Sequence, residues 1–221
     1  MNNSYWLTTF FRRFGRLVGT LTVAPAVLTS GQLAVWLHHL ACCLFDLLGG
    51  PEVVQLMLRA LTITRPLTAE EVEVATAVLG EGVIPFERVR LARGGILRYG
   101  FQLNKNRAFA TWHTINLPPT VDEEKDLPLL VHELTHTFQF ERVGSVYIGQ
   151  ALREQRKHGR EAYAYGGEAG LQSARAAGKC YRDYNREQQG QISQDYCARL
   201  YAGKDISAYT PFIEELRAGL L

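Results

Sequence analysis

Apolar residues recur at helical spacing towards both ends of the chain and alternate only in its middle. Before residue 65 the pattern predicts three helices, over about Tyr5–Leu17, Gln32–Leu48 and Pro51–Leu61. Gly49-Gly50 separates the last two, and Pro51 suits a first helical turn, where a missing N–H does no harm. Thr68-Ala69-Glu70-Glu71 forms a capping box, and the helix it opens ends at Gly80. Val83 to Arg93 alternates weakly and is rich in β-formers, which predicts a strand. Leu97–Leu103 and Ala108–Leu117 read as two more, with Asn104-Lys105-Asn106 as the turn between them. Pro118-Pro119 ends the sheet region. After an acidic loop, Leu127 to Phe140 is too long and continuous for a typical strand. It reads as a helix capped by Asp126, with Pro128 in its first turn and Gly144 as its stop. A further helix over Ser145–His158 ends at Gly159, and a polar, glycine-containing loop runs to about Asp183. Asn185, with Gln188 three residues on, caps a last long helix, Arg186–Tyr201.

This order describes an α+β protein: a helical region over residues 1–64 packed on a main domain over 65–221. With 221 residues and 47% hydrophobic content there is ample material for a core. Charge is balanced, 24 basic against 22 acidic side chains, so no nucleic-acid footprint is expected. The four cysteines form no C-x-x-C pair, which argues against a cysteine zinc site or a redox motif. Arg12, Arg13 and Arg16 ahead of Leu17–Leu28 loosely mimic a secretory signal, but Pro25 interrupts it and no small-x-small cleavage site follows. Gln32–Leu48 is apolar too, yet His38, His39 and Asp46 make it a poor membrane span, so a membrane partner is not expected.

The chemistry lies in His132-Glu133-Leu134-Thr135-His136. Residues four apart on a helix stand one turn above each other, so both imidazoles point the same way and can share one ion. Tetrahedral Zn2+ suits such nitrogen donors, and Glu133 can lean over the open position as a general base. A catalytic zinc usually takes a third protein ligand. No histidine follows at the H-x-x-G-x-x-H spacing, since position 142 is Arg142 and His158 lies at a helix end. A glutamate on a later segment is the natural substitute: Glu161, Glu168 or Glu187. Glu187 is favoured because it opens a capped helix in which Gly190, one turn on, permits close approach of another backbone; Glu161 is the reserve. The strand Ala108–Leu117 is the candidate edge on which an extended substrate can pair, and its His113 is read as structural.

The chain resembles the HExxH zincin-like metallopeptidase domains found with type VI secretion spike (VgrG) and Rhs proteins. The resemblance rests on His132-Glu133-Leu134-Thr135-His136-Thr137-Phe138-Gln139-Phe140, Tyr147 to Leu152, Tyr163-Ala164-Tyr165-Gly166-Gly167 and Tyr184-Asn185-Arg186-Glu187-Gln188-Gln189. It covers about Arg65 to Tyr201. It implies a zincin-like domain with a small antiparallel sheet and an active-site helix; the chain departs from the family's pattern in carrying a long helical N-terminus in place of an attached spike. It also implies Glu187 as third ligand and export as an antibacterial effector or its relative. Gly190 stands where such relatives tend to have alanine, a difference expected to be harmless.

The expected activity is zinc-dependent hydrolysis of peptide bonds. Zn2+ is held by His132, His136 and Glu187, Glu133 is the base, and Tyr163, Tyr165 and Tyr184 are candidate oxyanion donors. The expected partners are a peptide or protein substrate and a secretion-system or immunity protein. The rival reading is a catalytically inactive zincin scaffold that docks within a secretion or toxin assembly. The N-terminal helices are also candidates to cover the cleft as an inhibitory segment. No G-x-S-x-G elbow, phosphate-binding P-loop or G-x-G-x-x-G fingerprint occurs. Arg88, Arg90, Arg93 and Arg98 read as a solvated sheet face.

Overall fold

A computed structural model describes residues 3–24, 32–97, 101, 106–121 and 126–221. Three helices open the chain: α1 (Asn3–Thr22), α2 (Leu33–Leu47) and α3 (Gly50–Ala60). Gly49 makes the corner between α2 and α3 at φ +80, a left-handed conformation that glycine adopts without steric cost. After β1 (Ile63–Pro66) comes α4 (Ala69–Leu79). Its capping box is present: Glu71 N–H donates to Thr68 Oγ1 at 3.2 Å, and Thr68 N–H to Glu71 Oε2 at 2.7 Å. Four strands make one sheet in the order β1-β2-β4-β3, with β2 at Arg90–Arg93, β3 at Phe109–Thr111 and β4 at Thr114–Asn116. The rest is helical: α5 (Leu127–Val143), α6 (Val146–His158), α7 (Gly167–Ala176), α8 (Arg186–Tyr201) and α9 (Thr210–Arg217).

The protein is therefore α+β, but its sheet is mixed rather than wholly antiparallel. β1 pairs with β2 and β3 with β4 antiparallel, whereas β2 and β4 run parallel, Leu91 facing Ile115. The reason is where the hairpin turns. The expected single strand Ala108–Leu117 folds back at Trp112-His113, Trp112 taking a left-handed φ of 50. No glycine marks this turn. Buried partners hold it instead: Trp112 Nε1–H donates to Glu141 Oε1 at 2.8 Å, and His113 Nε2 lies 2.7 Å from the same oxygen. The expected strand Leu97–Leu103 is not seen where it is described, since Leu97 and Phe101 are helical and buried. Its remaining residues, with Asn104, Lys105, Arg98 and the acidic loop at 122–125, lie outside the described residues.

Two further expectations are corrected. Of Val83–Arg93 only the last four residues are strand, because Pro85 lacks a donor and leads into a 3₁₀ turn at Phe86–Arg88. The loop before Asp183 contains α7, which starts at Gly166 (φ +92) and buries Leu171 in the core. α9, which sequence pattern did not announce, closes the same core with Phe212, Ile213 and Leu216. All four cysteines are free thiols. The main core lies between the sheet, α4, α5, α8 and α9. Within it α5 is buried along almost its whole length, from Leu130 to Glu141, which fixes the direction of every side chain on it.

Candidate metal centre

The long apolar helix expected after Pro119 is α5, with Asp126 Oδ1 accepting from Leu129 N–H at 3.3 Å and Gly144 ending it at φ +77. One helical turn puts the Nε2 atoms of His132 and His136 3.1 Å apart. α8 crosses α5 and brings Glu187 Oε2 to 3.7 Å and 3.6 Å from those two nitrogens. Asn185 and Gln188 form the capping box expected for α8, which sets Glu187 in its first turn. Three donors about 2 Å from a common centre in tetrahedral array stand roughly 3.3 Å apart. The observed spacings match that arrangement. Among the described residues, no other group of three histidine, cysteine or acidic side chains has this convergence. Glu168 instead pairs with Arg199 at 2.7 Å, and Glu161 lies in the 3₁₀ turn at Gly159–Tyr163, outside the cluster.

The surrounding groups orient these donors. His136 Nδ1 lies 2.9 Å from Gln139 Oε1, an acceptor that favours a proton on Nδ1 and leaves Nε2 for an ion. Gln139 Nε2 donates in turn to Gln189 Oε1 at 2.9 Å and to the Arg186 carbonyl at 3.1 Å. Gln155 Nε2 holds Glu187 Oε1 at 3.0 Å. Gly190 lies against the His132 ring, where a Cβ would meet Cε1 at 2.8 Å and Nε2 at 2.9 Å. An alanine at 190 is thus not the harmless exchange expected from sequence: in this fold the ring or α8 must move.

Electrostatics within the cluster follow from burial and proximity. Burial pulls His136 down, but the charge and hydrogen bond of Glu187 outweigh it and lift the imidazole to about 9. Burial pushes Glu187 up, and the two imidazoles more than reverse this, holding it well below the ordinary carboxylate range. Glu133 is raised, chiefly by burial, and its Oε2 has no hydrogen-bond partner among the described residues.

A cavity of about 410 Å³ opens over these groups. One wall is the edge strand β3 with Ala108; the other is α6, through Ile148, Ala151 and Leu152. Glu133, His132, His136 and Glu187 line its floor, and Tyr163 and Tyr147 its sides. Tyr147 O–H donates to the Ala110 carbonyl at 2.8 Å and so ties α6 to the edge strand. Of the three tyrosines considered from sequence, only Tyr163 lines the cavity. Tyr165 donates to Asp195, and Tyr184 packs on Phe212. His113 faces away, against Glu141. No residue before Ala108 lines the cavity among the described residues, so the described N-terminal helices do not line it.

Fold and site together define an α+β protein whose HExxH helix and a later helix converge on a candidate site for one divalent cation. No family model matches the chain, and no solved structure matches it. The chain is similar to the type VI secretion system spike protein VgrG2b of Pseudomonas aeruginosa, at 28% identity over 213 residues. The match covers 89% of this chain but only 18% of that spike protein.

Proposed function

We propose that the protein is a zinc-dependent peptidase linked to type VI secretion. The observation that carries this reading is the convergence of His132, His136 and Glu187 beneath a cleft walled by an edge strand, with the Glu133 carboxylate beside them. The likeness to VgrG2b, a type VI secretion system spike protein, supports the secretion link.

When bound, zinc would supply Lewis acidity and an acidified water at neutral pH. The protein's own groups do the rest. Backbone N–H and C=O groups on the free side of β3 pair with an extended peptide and align its scissile bond over the floor of the cleft. Glu133, raised by burial and with an oxygen unclaimed among the described residues, accepts the proton of the attacking water and delivers it to the leaving amine. Burial, then the charge of Glu187, keeps the phenolic proton on Tyr163. That proton is the candidate donor to the developing oxyanion. Ile148, Ala151 and Leu152 offer an apolar wall for a neighbouring substrate side chain.

The test combines elemental analysis with hydrolysis of a broad peptide library. The expected result is one zinc per chain in both wild type and Glu133→Gln, with the wild type's turnover reduced by about a hundredfold to ten-thousandfold in the variant. Zinc-loaded wild type that cleaves no peptide, or a variant that cleaves as well as wild type, defeats the enzymatic reading.

A further inference from the structure

The N-terminal helices are turned inside out. Residues 5–60 contain six charged side chains: Arg12, Arg13, Arg16, Asp46, Glu52 and Arg59. None is on the exposed face. Arg12 pairs with Glu141 at 2.9 Å, Arg13 with Glu52 at 2.8 Å and Arg16 with Asp46 at 3.3 Å. Arg59 donates to the carbonyls of Arg88 and His113 at 2.8 and 3.0 Å. Asp46 also accepts from Ser145 N–H at 3.1 Å, so it fixes α2 on the start of α6. With the charges spent inward, the outward faces are apolar. Of the 24 large hydrophobic side chains exposed among the described residues, 19 lie between Trp6 and Leu61. Phe11, at 67% exposure, and Leu56, at 70%, are among the most exposed of them.

A water-facing helix carries its charges outward, and a protein interface of this size carries a polar rim with many hydrogen-bonding groups. The exposed faces of these three helices carry none of their charged side chains, and the surface they form has the character of one facing hydrocarbon. No single described helix is long and apolar enough to cross a membrane; α2 and α3 pass only as a pair, and they are bent by 67° at their junction. That geometry suits helices lying in the plane of a bilayer surface. The objection raised from sequence against a membrane partner rested partly on Asp46, which the fold buries and pairs.

The border of the apolar surface supplies charge complementarity. Arg153, Arg156 and Lys157 are exposed along α6 and line a 520 Å³ concavity together with His38 of α2. The acid on α6, Glu154, is turned to His158 at 3.8 Å. An apolar face with a basic rim provides both signals that stable interfacial attachment takes: acyl-chain burial and attraction to anionic headgroups. We propose that α1, α2 and α3 dock the protein onto an anionic lipid bilayer, with Arg153, Arg156 and Lys157 at the headgroup layer. Leu152 lines both this concavity and the candidate active-site cavity. Docking therefore holds the cleft mouth beside the headgroups. The proposal stands whether or not the cleft is catalytic.

The test is flotation of the full chain, kept in mild detergent and diluted into vesicles. One set is phosphatidylcholine alone; the other is phosphatidylcholine and phosphatidylglycerol in equal parts. Wild type is expected to float with the anionic vesicles, and Trp6 fluorescence to be quenched by lipids brominated on their acyl chains. Phe11→Asp with Leu56→Glu should abolish both signals while the far-ultraviolet dichroism is unchanged, since both positions are exposed. Arg156→Glu with Lys157→Glu should weaken anionic binding by roughly fivefold per residue and leave any binding to neutral vesicles untouched. Wild type that neither floats nor shows quenching overturns the proposal, as does a Phe11→Asp, Leu56→Glu variant that binds like wild type. A lipid-free dimer dispersed by that same variant, with no vesicle binding, assigns the face to a second copy and overturns it too.

Discussion

Gly190 faces the His132 imidazole with no room for a methyl group, since a Cβ would lie 2.8 Å from Cε1. His132 cannot retreat cheaply: it is buried on α5, and its Nε2 must stay in register with His136 and Glu187. Gly190→Ala is therefore expected to weaken zinc binding by about tenfold to a hundredfold, the range found when groups that orient metal ligands are disturbed. Competition against a chromophoric chelator measures this, and an unchanged zinc affinity would show that α8 absorbs the methyl group. At this scale the juxtaposition of His132 and His136 is legible in sequence, because a spacing of four on a helix is a purely local fact. The choice of Glu187 over Glu161 and Glu168 is less so. It depends on how α8 crosses α5, which no local pattern records. The orienting roles of Gln139, Gln155 and Tyr147 are not legible in sequence at all. Each is an ordinary helical residue until a partner from a distant element faces it.

Among the elements, the latch between α1, the β3–β4 turn and the end of α5 carries its own pH signature. Glu141 is buried and receives four donors. Tyr5 O–H, Trp112 Nε1 and His113 Nε2 meet its Oε1 at 2.8, 2.8 and 2.7 Å, and Arg12 meets Oε2 at 2.9 Å. Burial pushes the carboxyl up, but the hydrogen bond and charge of His113, with Arg12 and Tyr5, hold it down at about 2, against 4.5 when free. A depressed folded-state value means that the stabilisation is fully present above the unfolded value and fades as pH falls towards the folded one. Between pH 5 and pH 2 the wild type should therefore lose on the order of 3 kcal/mol from this group. Glu141→Gln should be less stable at pH 7 and flatter across that window. Urea midpoints across that pH range test this, and parallel curves would count against the latch. The latch also explains what the sequence hid. The hairpin turn at Trp112-His113 contains no Gly, Asn or Asp, the residues that announce such turns. Its left-handed Trp112 is held by Glu141, a residue on another element. Where boundaries are set locally, as by the Thr68 and Asn185 capping boxes or by Pro51 and Gly144, pattern and structure agree. α7 was hidden because its glycine-rich start resembles a loop, although Gly170 is required there: a Cβ would strike the Tyr165 carbonyl at 2.7 Å.

Across the whole molecule, the candidate site joins two central helices that meet only in the folded chain. α5 runs through the core under the sheet, α8 packs along it, and Glu187 of one stands over His132 and His136 of the other. In the unfolded chain the two histidines are separated from Glu187 by some fifty residues, so a cation bound by all three favours the folded state alone. The stabilisation follows mass action: at a free metal level a hundredfold above the dissociation constant it is about 2.7 kcal/mol. For a chain of this size each kcal/mol moves the melting temperature by about 2–4 °C. Zinc should thus raise the Tm by roughly 5–11 °C over the protein stripped with a chelator, and calcium, which takes six or more oxygen donors, should not. His136→Ala should abolish the rise, because two remaining donors cannot clamp α5 to α8. Glu133→Gln should keep it, because that carboxylate lines the cavity without belonging to the three-donor cluster. The two variants together separate holding the cation from using it. A Tm that zinc leaves unchanged would mean that the three side chains meet for packing alone, and the joint between α5 and α8 would then rest on their shared apolar core and on the hydrogen bonds of Gln139 and Gln189.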